Sequence, residues 1–254
     1  MNDTERLLSL VSDKIEQSER AYMLTNTRFL SLAERAAARS FCKENGAKFY
    51  FYGGYPDAER TVLYILPDYM EAEEGFPSEE DEVLCVLSCR SPNGSKVLSH
   101  RDYLGSLLAL GLERDVIGDI LVRDNGADII IFKTVADYLL VNYEKAGHVS
   151  LKCDIHPIGE LIPPEIRTQI VRESVASVRL DNIISAAFGF SRTEASAQIS
   201  KGMVFVNDTE ALKPDARLQS GDKIVVRGKG KVYLKELAGV TRKGRISVIF
   251  EKYL

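Results

Sequence analysis

The chain has 254 residues, of which 45% are hydrophobic and 28% are charged, so it is long enough for two or three small domains with cores of their own. No segment reaches the roughly 18 to 20 apolar residues that cross a bilayer, and MNDTERLLSLVSDKIEQ is acidic where a secretory signal is basic. These features exclude a helical membrane protein and predict a cytoplasmic protein that makes no membrane contact.

The four cysteines predict buried, reduced thiols. Cys42, Cys85, Cys89 and Cys153 lie among apolar residues without C-x-x-C spacing, and only 3 histidines could complete a metal site. We therefore expect no metal and no other cofactor. Cys85 and Cys89 would share one face of a strand, which leaves metal or redox chemistry as an alternative.

Charge is distributed unevenly along the chain. Residues 177–254 hold 14 Lys and Arg against 8 Asp and Glu, a net charge of +6, whereas the rest of the chain carries −10. A basic module in an acidic chain is typical of a protein that binds a polyanion.

The first 80 residues are predicted to form an α+β domain. Residues 4 to 45 have the periodicity of helices, and AKFYFYGGYPDAERTVLYILPDY reads as two strands around a turn. The acidic segment EAEEGFPSEEDE, residues 71 to 82, then resembles a solvated connector.

Residues 81–165 have the order of a split βαβ domain. EVLCVLSCR, HRDYLGSLLALGL, the hairpin VIGDILVR–ADIIIF, TVADYLLVNYEKA and SLKCDI give the order βαββαβ, which RNA recognition motifs share. Such motifs stack bases on aromatic rings of the two central strands, where this sequence offers only Phe132. The segment carries 8 basic and 13 acidic residues. We therefore expect it to dock or to act as a scaffold.

The basic module, residues 177–254, begins with a two-helix corner. HPIGELIPPE is predicted to be a linker and EIRTQIVRESVA a helix that leads into the module. Leu180 to Phe188 form an apolar helical stripe with a left-handed stop at Gly189, and Ser191 with Glu194 forms a capping box for a second helix that ends at Lys201-Gly202. MVFVN, DKIVVRG, KVYLKEL and RISVIFEKY read as strands.

These residues resemble an S4 RNA-binding domain. The resemblance runs from Arg179 to Lys231 and is carried by R-L-D at the first helix, S-R-T-E-A at the second, K-G before a strand ending in V-N, and G-D before an apolar strand. Together with HRDYLGSLLALGLERDVIGDI in the middle segment, it makes the chain similar to the YlmH family of bacterial S4 proteins. The expected fold class is α+β, with an N-terminal α+β region, an RRM-like middle domain and a C-terminal S4 domain.

The resemblance implies a function on the ribosome. It implies binding to the large ribosomal subunit, in contact with 23S-type rRNA and the P-site tRNA, during rescue of stalled nascent chains, by a monomer. The expected RNA-binding residues are Arg179, Ser191, Arg192, Thr193, Ser196, Lys201, Arg227, Lys229 and Lys231.

The residues themselves favour some of these positions more than others. Arg179 and Arg192 each lie at a helix start, where two guanidiniums could converge on a phosphate near helix amides. Lys201 could instead interact with a helix dipole. Lys229 and Lys231, with Arg242, Lys243 and Arg245, crowd turns that are either solvated rims or phosphate contacts.

Two other classes of function remain as alternatives. S4 domains also occur on RNA-modifying enzymes, but the HIGH-like and KMSKS-like segments of a synthetase are not present, and FYGGYP lacks the following helix of a methyltransferase. His100, Arg101 and Asp102 are consecutive, so on a helix they point about 100° apart, and His100 could instead cap the helix. We expect no enzyme. A protein–protein adaptor linked to cell division is the second alternative.

Overall fold

The computed structural model describes residues 2–56, 58–72, 76–79, 82–92, 97–163, 165, 167–242 and 244–253. The chain divides into two compact units, Met1–Pro164 and Glu165–Leu254. The domain boundary predicted near residue 80 lies inside the first unit and stays a prediction. Among the described residues, no helix has the length and apolar character that a membrane crossing needs.

The first unit begins with two helices that flank a small antiparallel sheet. Its elements are α1 (Asp3–Ala21), β1 (Thr25–Leu30), α2 (Leu32–Glu44), β2 (Lys48–Tyr52) and β3 (Thr61–Leu66), with strand order β1-β3-β2. Capping boxes begin both helices, at Asn2 with Glu5 and at Ser31 with Glu34. The two strands predicted around the Gly-Gly turn are β2 and β3.

The prediction that residues 4 to 45 are mainly helical is correct for α1 and α2 but missed β1. TNTRFL lies between the two helices as an edge strand that pairs with β3, and Thr27, Phe29 and Leu30 are buried. Thr27 Oγ1 also accepts a hydrogen bond from the N–H of Leu63 at 3.1 Å. Pairing with the distant strand β3 determines the conformation of this segment, and the local pattern of apolar residues does not reveal that pairing.

The acidic segment at residues 71 to 82 is solvated only in part, since Glu71, Ala72, Ser78 and Glu79 are exposed but Phe76 and Glu82 are not. Residues 73–75, 80 and 81 lie outside the described residues. Phe76 packs edge-on against Tyr50 and Tyr64 at ring-centroid distances of 5.2 and 5.4 Å. Glu82 is buried and accepts a hydrogen bond from the N–H of Leu84 at 2.6 Å.

The second half of the first unit has the predicted βαββαβ order. Its elements are β4 (Leu84–Arg90), α3 (His100–Ala109), β5 (Ile117–Arg123), β6 (Gly126–Phe132), α4 (Ala136–Asn142), a short hairpin of β7 (Lys145–Ala146) and β8 (Val149–Ser150), and β9 (Lys152–Pro157). The sheet order is β5-β6-β4-β9 with every neighbouring pair antiparallel, which is the split βαβ arrangement.

The two halves of the first unit share one hydrophobic core. Phe29 of β1 packs edge-on against Phe132 of β6 at 5.2 Å, and a Cβ on Gly118 of β5 would lie 2.7 Å from the Phe29 ring. Asp119 is buried beside this contact, where it accepts hydrogen bonds from Tyr55 Oη at 2.8 Å and from the backbone N–H of Arg60 at 3.0 Å. Close packing of Phe29 and the hydrogen bonds of Asp119 therefore join the amino-terminal sheet to β5, and we call this region the junction.

The second unit is a six-stranded antiparallel sheet with a helical corner. Its elements are β10 (Thr168–Val175), α5 (Leu180–Phe188), α6 (Arg192–Ser200), β11 (Val204–Val206), β12 (Thr209–Glu210), β13 (Lys223–Val226), β14 (Gly230–Val240) and β15 (Ile246–Tyr253). The strand order is β10-β15-β14-β13-β11-β12. The predicted corner and the four predicted strands are all present.

The prediction of a helix at EIRTQIVRESVA was wrong. Residues Thr168–Val175 form β10, which pairs with β15 from Thr168 opposite Tyr253 to Val175 opposite Ile246. Without β10, one edge of β15 would have no strand to pair with. The hydrogen bonds of this long-range pairing therefore stabilise a strand at residues whose apolar pattern only weakly favours a helix. The second unit therefore begins before residue 177, where the sequence placed the start of the basic module.

Candidate nucleic-acid interface

The corner between α5 and α6 is formed as the sequence predicts. Leu180, Ile183, Ile184 and Ala187 bury one face of α5, and Gly189 ends it with φ of 73°. Ala195 and Ile199 bury a narrower face of α6. Both helices are thus fixed against the sheet, and their outer surfaces are left to hold charged and polar side chains.

The start of α6 carries a complete capping box. Ser191 Oγ accepts a hydrogen bond from the N–H of Glu194 at 3.2 Å, and the Glu194 carboxylate accepts one from the N–H of Ser191 at 2.8 Å. These hydrogen bonds lower the pKa of Glu194. Since both N–H groups are engaged and a carboxylate lies at this helix end, an incoming anion would depend on the Arg192 side chain more than on these amides.

Arg192 and Arg245 line one cavity of about 180 Å³ in the second unit. Arg192 comes from the first turn of α6 and Arg245 from the turn between β14 and β15. Asn182 and Ser185 contribute polar groups from α5, and Glu173 of β10 adds a carboxylate. Two guanidiniums against one carboxylate leave the cavity with an excess of positive charge and many N–H donors, which suits a phosphate group.

The polar side chains of the cavity are held in place by neighbouring groups. Arg245 donates a hydrogen bond to the carbonyl of Ser174, and Asn182 Nδ2 donates to Ser177 Oγ at 2.8 Å. The hydrogen bond of Arg245 joins the β14–β15 turn to β10. Strand β10 therefore helps to position the Arg245 side chain in the cavity. Lys243, which belongs to the same turn, lies outside the described residues.

Arg179 lies apart from this cavity in the described contacts. Its guanidinium pairs with Asp181 at 2.8 Å, in the first turn of α5, and this hydrogen bond raises the pKa of Arg179. It does not appear among the residues that line the cavity. The expected convergence of Arg179 and Arg192 on one phosphate therefore stays a prediction, and Arg245 is the guanidinium found beside Arg192.

A second basic surface, the lysine–aromatic surface, consists of Phe188, Phe190, Lys229 and Lys252 at the helical corner. Lys229 Nζ lies 5.7 Å from the centre of the Phe190 ring. Lys231 Nζ lies 3.9 Å from the centre of the Tyr253 ring, but this pair is on the opposite face of the sheet, because Lys231 and Tyr253 alternate with the buried Val232 and with Lys252. Lys252 Nζ lies 5.9 Å from the Phe188 ring. Lysines held over partly exposed rings combine charge for phosphates with flat apolar area for bases.

The other predicted RNA-binding residues are distributed over the same unit. Thr193 and Arg227 are exposed, and Ser196 is half-buried on α6. Lys201 caps the C-terminal end of α6, whereas Arg192 is the first residue of that helix. The full length of α6, which rises about 1.5 Å per residue, therefore separates the two residues. The structure thus brings Ser191 and Lys229 to the helical corner, places Lys231 on the opposite face of the sheet and leaves Lys201 at the far end of α6. Their roles in RNA binding stay predictions.

Sequence reasoning missed several residues of these surfaces as RNA-binding residues, among them Arg245, Phe188, Phe190 and Lys252. Arg245 was visible as one of several basic residues in a turn, but only the pairing of β10 with β15 brings it to α5 and α6. Phe188 was assigned to the apolar stripe of α5. Lys252 reaches the corner from the end of β15, where it lies over Phe188.

The sheet of the first unit does not offer a platform for stacked bases. Every residue of the central strand β6 is buried, and Phe132, the one ring predicted on the central strands, packs against Phe29. The amino-terminal sheet covers the face where an RNA recognition motif holds its bases. Any RNA contact by this unit must use another surface.

The sequence SHRDYLG forms a helix start and does not assemble a catalytic cluster. Ser99 is the N-cap of α3, and the Asp102 carboxylate accepts hydrogen bonds from the Ser99 N–H at 2.7 Å and from Ser99 Oγ at 2.8 Å. His100 is therefore the first residue of the helix and not its cap. Among the described residues, no group of three or more His, Cys, Asp and Glu could hold a metal ion.

Comparison with known proteins matches two segments of the chain to domain families. The model of the YlmH RNA-binding domain matches residues 77–160, and the model of the S4 domain matches residues 178–224. The chain therefore contains a YlmH-type RNA-binding domain and an S4 domain. The YlmH match covers the βαββαβ sheet, and the S4 match covers the helical corner up to the start of β13. Both domains support RNA as the class of partner.

Two known proteins are similar to larger parts of the chain. The chain is 27% identical over 231 residues to the ribosome-associated protein quality control protein P2 of Bacillus subtilis, covering 91% of this chain and 88% of that protein. It also resembles the structure of the cell division protein ylmH from Streptococcus pneumoniae, with a TM-score of 0.52 at 22% identity over 64% of this chain and 96% of that one. The second comparison supports the fold alone.

Proposed function

We propose that this protein is a member of the YlmH family that binds the large ribosomal subunit through its S4 domain, contacts 23S-type rRNA and tRNA, and takes part in the rescue of stalled nascent chains. The observation that carries the proposal is the cavity in which Arg192 and Arg245 lie together. The name of the Bacillus subtilis relative, which is similar along 91% of this chain, supports the ribosomal setting.

The chemistry of the second unit suits structured RNA. Arginine guanidiniums bind phosphate oxygens through paired N–H donors, and phosphate contacts position a protein on RNA without reading its sequence. The lysine–aromatic surface adds two ammonium groups and two rings that an unpaired base could contact. We propose that the cavity holds a backbone phosphate and that the lysine–aromatic surface contacts the neighbouring nucleotides.

The first unit has a different role in this proposal. Its sheet is covered on the face that would hold bases, and the segment from residue 81 to 165 is acidic. We propose that it docks against the ribosome while the S4 domain supplies most of the affinity for RNA. The protein would act as a cytoplasmic monomer, without a catalytic step and without a cofactor.

Sedimentation of cell extract through a sucrose gradient tests the proposal. The protein should be found in the fractions of free large subunits and of assembled ribosomes, and a chelator that separates the subunits should move it to the large-subunit fraction. Recovery only at the top of the gradient, or with the small subunit, would contradict the proposal.

A further inference from the structure

Cys89 and Cys153 form a pair that neither the matched domains nor the proposed function explains. They are directly opposite one another on the neighbouring antiparallel strands β4 and β9. Their Sγ atoms lie 3.0 Å apart, and both cysteines are reduced. Cys89 is completely buried, whereas Cys153 is partly exposed. Cys153 is therefore the residue of the pair that solvent reaches, and the Cys89 sulfur lies directly next to the Cys153 sulfur.

The backbone geometry suits a bond between these sulfurs. Opposite residues of an antiparallel pair have Cα atoms about 4.5 to 5.5 Å apart, which falls within the range of about 4.4 to 6.8 Å that disulfides span. A bond would close the remaining gap of roughly 1 Å between the two sulfurs by rotation of the side chains. The strands would not have to separate or change register.

The surroundings favour Cys153 as the thiol that reacts first. The hydrogen bond with Cys89 lowers the pKa of Cys153, and the positive charge of Arg90 also lowers it. Burial and the negative charge of Asp154 raise this pKa, but the lowering effects are larger. The same hydrogen bond, together with burial, raises the pKa of Cys89. Since the thiolate is the nucleophile, the partly exposed Cys153 is also the sulfur that is more readily ionised.

We propose that Cys89 and Cys153 are a site of oxidation by a peroxide, which converts them into a disulfide between β4 and β9. In the first step the Cys153 thiolate attacks a peroxide oxygen, the O–O bond breaks, and a sulfenic acid forms while the leaving hydroxide takes up a proton as water. In the second step the Cys89 sulfur attacks the Cys153 sulfur, the S–O bond breaks, and a second water leaves with the Cys89 proton. Two thiols lose two electrons and hydrogen peroxide gains them. A dithiol reductant reverses the bond by exchange.

The remaining cysteines provide the matched control. Cys85 is buried on the same strand, but its neighbours across the sheet are Ile131 and Pro157, so no thiol faces it. Cys42 belongs to the separate core of α1, α2 and β3. A Cys85→Ser variant therefore keeps the proposed pair, whereas a Cys153→Ser variant removes its exposed member.

Mass spectrometry of the full chain after treatment with hydrogen peroxide tests the proposal. The wild-type protein and Cys85→Ser should lose the mass of two hydrogen atoms, regain it with dithiothreitol, and yield a linked peptide that contains Cys89 and Cys153. Cys153→Ser should show no such loss. The linked peptide is read from the wild-type protein itself, so the test does not depend on the stability of a variant. Added oxygen without loss of hydrogen, an unchanged mass, or an equal loss in Cys153→Ser would each overturn the proposal.

Discussion

Arg192 and Arg245 line the same cavity although they belong to α6 and to the turn between β14 and β15. Arg245 also bonds to the carbonyl of Ser174 in β10. The pair therefore depends on the whole second unit and not on the helical corner alone. If a phosphate occupies this cavity, both arginines contribute to RNA affinity, and the salt dependence of binding should reveal how many charges take part.

The first prediction concerns that salt dependence. Binding of the wild-type protein to rRNA should weaken steeply as salt rises, because each neutralised phosphate adds up to about one unit to the slope of log affinity against log salt. Arg245→Ala should lower the slope by about one unit. Fluorescence titration at several salt concentrations measures it. Arg167→Ala, which removes an exposed arginine paired with Glu165 in the same unit, serves as the control and should leave the slope unchanged.

The second prediction concerns the cap of α6. Ser191→Ala removes the side chain that accepts the Glu194 N–H and should lower the free energy of unfolding of the second unit by about 1 kcal/mol. A thermal melt followed by circular dichroism should show the lower midpoint. Ser200→Ala, at the exposed opposite end of the same helix, should leave the midpoint nearly unchanged. Equal melts for both variants would show that the capping box contributes nothing to stability.

The third prediction separates the two units. A fragment of residues 165–254 should fold and bind RNA, because it contains a complete core and the full sheet. A fragment that begins at residue 177 lacks β10, so it should unfold at a lower temperature and bind more weakly. Residues 1–163 should bind free RNA poorly. Tighter RNA binding by residues 1–163 than by residues 165–254 would refute this division of roles.

The fourth prediction concerns the junction within the first unit. Asp119→Ala removes the buried carboxylate that accepts hydrogen bonds from the Tyr55 hydroxyl and from the N–H groups of Glu59 and Arg60, and a hydrogen bond to a charged group contributes about 1.5 to 3 kcal/mol. We expect a loss of at least about 2 kcal/mol in urea unfolding. Asp124→Ala, in the exposed turn between β5 and β6, is the control and should leave stability within about 0.5 kcal/mol. Similar unfolding midpoints for the two variants would mean that Asp119 does not anchor the junction.

Local sequence signals predicted those parts of the structure that depend on neighbouring residues. Ser191 with Glu194, Gly189 and the apolar stripe of α5 each act within a few residues, and the structure has them as expected. The order of the middle sheet also follows from periodicity.

The incorrect predictions share one physical cause. β1 and β10 are strands because β3 and β15 offer them an edge for pairing. Arg245 and Arg192 line one cavity together with residues of β10. Each of these features depends on contact between segments far apart in the chain. A local period or a local charge pattern carries no information about such contacts.

Co-sedimentation with purified large ribosomal subunits tests the central claim most directly. The wild-type protein and Arg167→Ala should pellet with the subunits to the same extent at moderate salt. Arg192→Ala with Arg245→Ala in one chain should lower the affinity by roughly 10-fold or more, because a hydrogen bond to a charged group contributes about 1.5 to 3 kcal/mol. Its thermal melt should match that of the wild type, since Arg192 and Arg245 are both exposed. Undiminished pelleting of a folded double variant would contradict the claim that this cavity holds RNA.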